Sequence, residues 1–380
     1  MELRIPLSDL DFDQEEEQAV IDVLNRRWLT MGEVTQKFEA AFEKFLGVNH
    51  ALAISNCTQA LHLACLALGI GPGDEVIVPS LTFVASANAV LYTGAKVRFA
   101  DVIGDNELTI SPEEIERKIT PNTKAILVMH YGGYPCRMQD ILEIAKRHGL
   151  AIVEDVAHAP GAALEGRMMG TWGDIGCFSF FSNKNIATGE GGMLVTDRDD
   201  LAAKVRTLRS HGMTTLTWER HHGHAYSYDV TDLGYNYRID EIRSALGLVQ
   251  LQKLPRNNAC RQRITLAYWK GLKEPEFLGV ETPFDNVAGE SAYHIFPILL
   301  PAENDRKRFM DALRNAGVQS SIHYPPIHKF SYYQSCYPGV SLPVTESAAS
   351  REVTLPLYPS MSSEDVAYVL QAVRDGLSQS

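Results

Sequence analysis

No CxxC pair occurs in the 380 residues, and the six cysteines (Cys57, Cys65, Cys136, Cys177, Cys260, Cys336) are scattered. That spacing offers no zinc or iron–sulfur ligand set and no disulfide framework. It suits small core residues of a reduced, cytoplasmic protein. No metal is expected. Basic residues are also in the minority: 35 Lys and Arg stand against 47 Asp and Glu, a formal net charge of −12. Binding through nucleic-acid phosphates needs a basic face, so a nucleic-acid partner is not expected. An anionic small ligand stays open, because a pocket sets its own local field. No apolar run reaches membrane length, and the opening MELRIPLSDLDFDQEEE carries neither a basic cluster nor an apolar segment. Neither a membrane partner nor a secretory leader is expected. Repeats and low-complexity tracts are missing too. A GxGxxG fingerprint is absent: GIGPGD has glycines at 69, 71 and 73, between a helical pattern and a strand pattern. It reads as a helix end and a turn.

What is present is ordinary globular material, 45% hydrophobic and 22% charged, in a chain long enough for two units. Helical patterns over 13–27 and around Phe38, Ala41, Phe42 and Phe45 come first. Strand patterns then alternate with helical ones: HALAISN (50–56), DEVIVPS (74–80), KVRFADV (96–102), KAILVMHY (124–131), LAIVED (150–155), CFSFF (177–181) and GMLVT (192–196). Alternation of this kind predicts an α/β fold, a mostly parallel sheet with helices on both faces. A long helix is predicted over 240–254, ending at Pro255, with mixed patterns beyond it. The reading divides the chain into a large unit, 1–254, and a smaller C-terminal α+β unit, 255–380.

Ligands of parallel α/β sheets bind beyond the carboxyl ends of the strands. Four groups of residues fall at such ends. In SNCTQAL (55–61) a strand end runs into a helix start; exposed N–H groups and the Thr58 hydroxyl suit a phosphate, or plain helix capping. Phe83 follows a strand and reads either as core or as a cover for a flat ring. In VEDVAHAPGA (153–162) Asp155 ends an apolar strand and His158 lies three residues on. A carboxylate there can pair with a protonated ring nitrogen, or cap a turn. Finally, CFSFFSNKNIATGEGG (177–192) carries Lys184 out of an apolar run beside glycines, five residues after Ser179. Lys184 is either a surface cation or an amine held for its chemistry. A phosphate site, a stacking aromatic, an acid for a ring nitrogen and a reactive lysine are together the needs of pyridoxal 5′-phosphate (PLP).

Here the chain resembles the DegT/DnrJ/EryC1/StrS sugar aminotransferases, within the fold-type I group of PLP enzymes. The blocks that carry the resemblance include WLTMGEVTQKFE (28–39), SNCTQALHL, GDEVIVPSLTFVASANAV (73–90), HYGGYPC (130–136), LGYNYRIDEIRSALGLVQL (233–251) and IHYPPIHK (322–329). The resemblance implies a large domain with a seven-stranded-type sheet and a smaller C-terminal domain. It implies that Lys184 forms the Schiff base with PLP, Asp155 holds the pyridinium proton and His158 lies near the ring oxygen. Phe83 would stack on the ring, while Thr58, Gln59 and Ser179 would bind the phosphate. Asn236 would reach the cofactor phosphate of a neighbouring subunit, so a homodimer with shared sites is implied. One departure is Cys57, where the family usually has glycine.

The resemblance further implies ping-pong transfer of an amino group from an amino acid, L-glutamate foremost, to a nucleotide-linked keto-deoxysugar at C3 or C4. A role in making a surface polysaccharide or a secreted metabolite follows. The polar loop 214–229, with Trp218, Arg220, His221, His222 and His224, or else Arg238, is a candidate contact for the sugar diphosphate. His323, Tyr324 and His328 are candidates from the C-terminal unit. The alternatives are another PLP chemistry on the same scaffold, such as dehydration or amino-acid transamination, and a non-catalytic ligand sensor.

Overall fold

The computed structural model describes residues 3–214 and 228–380. Seven strands form the central sheet: β1 (His50–Ile54), β2 (Glu75–Pro79), β3 (Lys96–Ala100), β4 (Thr123–Met129), β5 (Ala151–Asp155), β6 (Ile175–Ser179) and β7 (Gly192–Thr196). Their spatial order is β1-β7-β6-β5-β4-β2-β3. Neighbours from β6 through β3 are parallel, and β7 alone runs against both of its neighbours. The sheet is therefore mostly parallel, with helices between its strands, as the alternating pattern predicts.

Side-chain alternation builds two cores, one on each face of the sheet. Leu52, Ile54, Val76, Val78, Leu127, Val153 and Cys177 pack on one side. Ala51, Ala53, Ile77, Ile126, Val128, Ile152 and Phe178 pack on the other. Strands buried on both faces read as near-continuous apolar runs, which is why they stand out in the sequence. On the helix Glu33–Leu46, Phe42 packs edge-on against Phe178 and Phe180, and Phe38 lies tilted against Phe180, closing the second core.

The C-terminal region has its own core: Ile264, Tyr268, Phe296, Ile298, Phe309, Val353 and Val369, joined by Ile5 from the N-terminus. It holds a two-stranded antiparallel pair, β8 (Phe296–Leu299) with β9 (Glu352–Leu355). VQSSIHY (318–324) contributes only isolated bridges, from Val318 to Ile5 and from Ser321 to Thr354.

The predicted stop at Pro255 does not occur. The helix runs unbroken from Glu241 to Leu272 with Pro255 inside it. An interior proline forfeits one backbone hydrogen bond and costs about 3 kcal/mol. Burial of Leu251 and Leu254 before it, and of Ile264, Tyr268 and Leu272 after it, offsets that cost. The chain thus passes from one core to the next within a helix, and residue 255 falls inside it.

Candidate active site

The carboxyl ends of β2, β5 and β6 and the start of the helix Cys57–Ala67 surround a cavity of ≈ 720 Å³. Asp155, His158, Ser179, Lys184, Thr58, Gln59, Phe83 and Tyr324 all line it. Distant sequence segments therefore converge on one space.

One corner is built to hold an anion. Asn56 caps the helix by accepting the Gln59 N–H at 2.9 Å. The first-turn N–H groups of Cys57 and Thr58 have no partner within the helix and point outward from its positive end. Ser55 donates its hydroxyl hydrogen to Gln59 Oε1, so the Gln59 amide NH₂ remains as a donor. Ser179 Oγ accepts the Phe181 N–H at 3.4 Å and keeps its own proton to donate. Gly192 of β7 permits this crowding, because a Cβ there would stand 2.8 Å from the Cys57 nitrogen. Cys57 is buried beside core side chains and also borders the cavity.

Asp155 ends β5 and is buried. It accepts the Ser86 hydroxyl at 2.8 Å and the Ala157 N–H at 3.1 Å. Burial pushes its pKa above the usual carboxylate range; these two hydrogen bonds and the charge of Lys184 oppose that shift. A buried carboxyl that is only partly satisfied favours a cation brought to it.

Lys184 sits in the turn after β6, its N–H donating to Phe181 O at 2.9 Å. The side chain is half-buried by area, but its amine end is enclosed. Burial lowers its pKa from 10.5 to about 8, against the pull of Asp155. About a tenth of it is therefore free, nucleophilic amine at pH 7, far more than for an ordinary lysine. Its Nζ lies 3.4 Å from His294 Nε2.

His158 accepts the Gly132 N–H at Nδ1, 3.3 Å, which places its proton on Nε2, 2.9 Å from the Tyr324 hydroxyl oxygen. Burial first, then the charge of Lys184, holds this imidazole well below its ordinary pKa, so it stays neutral. Because Nε2–H donates to Tyr324 Oη, the phenol keeps its own proton for a ligand. His323 also lines the cavity, its Nδ1 2.9 Å from Thr354 Oγ1.

A family model described as the DegT/DnrJ/EryC1/StrS aminotransferase family matches residues 10–374. The chain belongs to that family. Over 369 residues it is 41% identical to the spore coat polysaccharide biosynthesis protein SpsC of Bacillus subtilis, covering 95% of this chain and 94% of SpsC. The aminotransferase TlmJ of Streptoalloteichus hindustanus superposes with a TM-score of 0.91 at 34% identity, covering 98% of this chain and 99% of TlmJ. The PLP form of the putative sugar aminotransferase Spr1654 of Streptococcus pneumoniae superposes with a TM-score of 0.90 at 26% identity, covering 98% of each chain. The fold is that of the PLP-dependent aminotransferases, and this DegT/DnrJ/EryC1/StrS member is a PLP-dependent sugar aminotransferase.

The residues present fit PLP. A donor-rich corner suits its phosphate. Phe83 is a phenylalanine 54% exposed on the cavity wall, which suits a planar ring. A buried, under-satisfied Asp155 suits a ring N–H⁺, and an enclosed amine suits its aldehyde.

Other expectations fall elsewhere. Asn236 is exposed and is not part of this chain's own cavity wall. Arg238 is half-buried and pairs as a bridge with Ile54, while its neighbour Tyr237 reaches the cavity. His328 is not a cavity residue. Its ring joins Ser80 Oγ at 2.7 Å to Glu346 Oε1 at 3.1 Å, so both nitrogens serve packing between segments rather than a sugar. Arg220 and its neighbours Trp218, His221, His222 and His224 lie outside the described residues. Two residues of the site are not singled out by the sequence. Ser86, on the helix Ala85–Leu91, donates to Asp155. His294, just before β8, lies against Lys184.

Proposed function

We propose that this sugar aminotransferase moves an amino group from L-glutamate to a nucleotide-linked keto-deoxysugar through Lys184, in two half-reactions at one site. The observation that carries this reading is the enclosed Lys184 amine, with its pKa lowered to about 8, in one cavity with Asp155 and an anion corner. PLP, when bound, supplies a carbonyl carbon to carry the amino group and a ring to take up electrons. Lys184 would hold the cofactor's carbonyl carbon, and its amine, when not so bonded, would serve as the base for the donor's α-proton and as the acid that gives it back. Asp155, kept in register by Ser86 and Ala157, holds a proton on the ring nitrogen. Thr58, Gln59 and Ser179 bind the phosphate, and Phe83 covers the ring. Tyr324, with its proton free, meets the ring oxygen side or the sugar. The same groups run in reverse on the keto sugar.

The further assignments belong to the same proposal. Asn236 acts on the cofactor phosphate of a second copy of the chain, so the unit is a homodimer with shared sites. Arg220 and Arg238 meet the sugar diphosphate. The enzyme works in the cytoplasm; among the described residues no helix is long and apolar enough to cross a membrane. The units meet near residue 255, within the shared helix.

The test is spectroscopic. The purified protein loaded with PLP should show a yellow absorption band that L-glutamate discharges, with one equivalent of 2-oxoglutarate released. Adding a nucleotide-linked keto-deoxysugar should restore the band and yield the amino sugar. A band that glutamate leaves unchanged would refute the donor, and parallel double-reciprocal lines are required of the ping-pong scheme.

A further inference from the structure

We propose that His294 is the positioning residue for Lys184: its Nε2 lone pair holds the lysine's free amine in one place whenever that amine is not bonded to the cofactor. The proposal rests on reading Lys184 as the cofactor-bonding lysine.

Two backbone carbonyls, of Ala292 and Pro160, fix the direction of the hydrogen bonds behind His294. Asn185 donates its side-chain amide to the Ala292 carbonyl at 2.7 Å and to Asn258 Oδ1 at 2.8 Å. A carbonyl can only accept, so Asn185 Nδ2 must face it. Asn258 is oriented by the same logic, donating to Pro160 O at 3.0 Å. The Asn185 carbonyl oxygen therefore faces His294 Nδ1 at 2.9 Å. Nδ1 must carry the imidazole proton, and Nε2 must present a lone pair. That lone pair faces Lys184 Nζ at 3.4 Å.

The surroundings keep it an acceptor. His294 is buried, and its ring lies against that of His158 with centroids 4.3 Å apart. Burial first, and then His158, Lys184, Arg261 and His323, holds it well below its ordinary pKa. The charge of Asp155 draws the lysine towards its ammonium form. The ring is also fixed by its backbone: His294 N–H donates to Gly132 O at 2.9 Å, and its carbonyl accepts from the buried Arg261 at 3.2 Å.

A lysine on four rotatable bonds has many places to be once released. A general base works only where its lone pair meets the substrate proton, and small misplacements are expensive in rate. One N–H donated to His294 anchors the nitrogen and leaves its lone pair directed away from the histidine.

The experiment compares wild type, His294→Ala and His294→Gln. In cofactor-free protein, the Lys184 amine is titrated by ¹³Cε NMR, assigned with Lys184→Arg. The wild-type midpoint should be about 8. Losing an acceptor that favours the ammonium should lower the midpoint in His294→Ala by roughly half a unit or more. His294→Gln, with a carbonyl oxygen in reach, should recover part of that shift. In PLP-loaded protein, exchange of the α-hydrogen of L-glutamate in D₂O should slow on the order of tenfold or more in His294→Ala, with little change in half-saturation. An unchanged midpoint, or exchange at the wild-type rate, would overturn the proposal. Should His294→Ala fail to fold, Asn185→Ser replaces it: freeing the imidazole proton to move to Nε2 must also lower the midpoint. Borohydride reduction of wild type separates the two readings. If no pyridoxyl group is left on Lys184, the Schiff-base reading fails, while the titration still judges the histidine–lysine contact.

Discussion

Glu154 and Asp155 are consecutive residues on β5, both buried, yet the fold treats them in opposite ways. Glu154 points to one face of the sheet and is saturated. It accepts the N–H groups of Gly170, Trp172 and Gly173 at 2.7, 2.7 and 2.6 Å, and His130 Nε2 at 3.0 Å. His130 is itself oriented, since its Nδ1 accepts the Cys136 N–H at 3.1 Å. Four donors fill the capacity of a carboxylate. Asp155 points to the cavity with two donors and a raised pKa. A satisfied acid holds the protein together; a partly satisfied acid beside a cavity is held ready for a ligand.

The largest effect that would break this comparison is catalytic. Asp155→Asn should lower turnover by roughly 10²- to 10⁴-fold, the scale of a lost acid–base group, whereas Glu154→Gln should act mainly through folding. Next comes stability. Glu154→Gln turns an amide NH₂ toward backbone N–H groups and should cost about 3–5 kcal/mol in urea unfolding, the scale of breaking a buried charged network. Asp155→Asn should leave the cofactor-free protein at least as stable as wild type at pH 7. The sign follows from linkage. A group whose pKa is raised on folding contributes stability below its unfolded pKa and loses it as pH rises through the folded value. At neutrality the charged Asp155 therefore weakens the empty protein, and the amide removes that penalty.

The histidines around the cavity give a smaller effect of opposite sign. Burial first, with Lys184 second, lowers His323 from 6.5 to about 4. Between those values the unfolded chain binds the proton and the folded one does not, so stability falls as pH drops from about 6.5 towards 4. Melting curves over that range should show the slope, and His323→Gln should flatten it. The smallest effect is expected for Tyr324→Phe, which removes a hydroxyl but leaves His158 in its tautomer through Gly132. Turnover should fall about tenfold, one lost hydrogen bond's worth, with the melting temperature nearly unchanged.

How far the sequence carries depends on whether a signal is local. The sheet was legible because doubly buried strands are apolar runs separated by helical periodicity. Asp155, Lys184, Thr58 and Ser179 were legible because each stands at a strand end or helix start, where chemistry collects. Within VED, only position on the strand distinguishes the acid that faces the cavity from the one that does not. His294 left no such trace. It precedes β8 in the C-terminal region, and its approach to Lys184 is purely tertiary, set by Asn185, Asn258 and Gly132. His328 failed the other way: its place in IHYPPIHK suggested the site, while Ser80 and Glu346 use both its nitrogens. Pro255 misled because local propensity predicts a break that burial on both sides overrides.

That unbroken helix, Glu241–Leu272, has a mechanical consequence. Its first half packs against the helices Gln14–Arg26 and Glu33–Leu46, and its second half enters the C-terminal core. It is a common beam, and loosening either core pulls buried side chains of the same rigid rod into water. The two cores should therefore melt together, and gating of the cavity falls to side chains and loops at its mouth rather than to rotation of one half about a pliant joint.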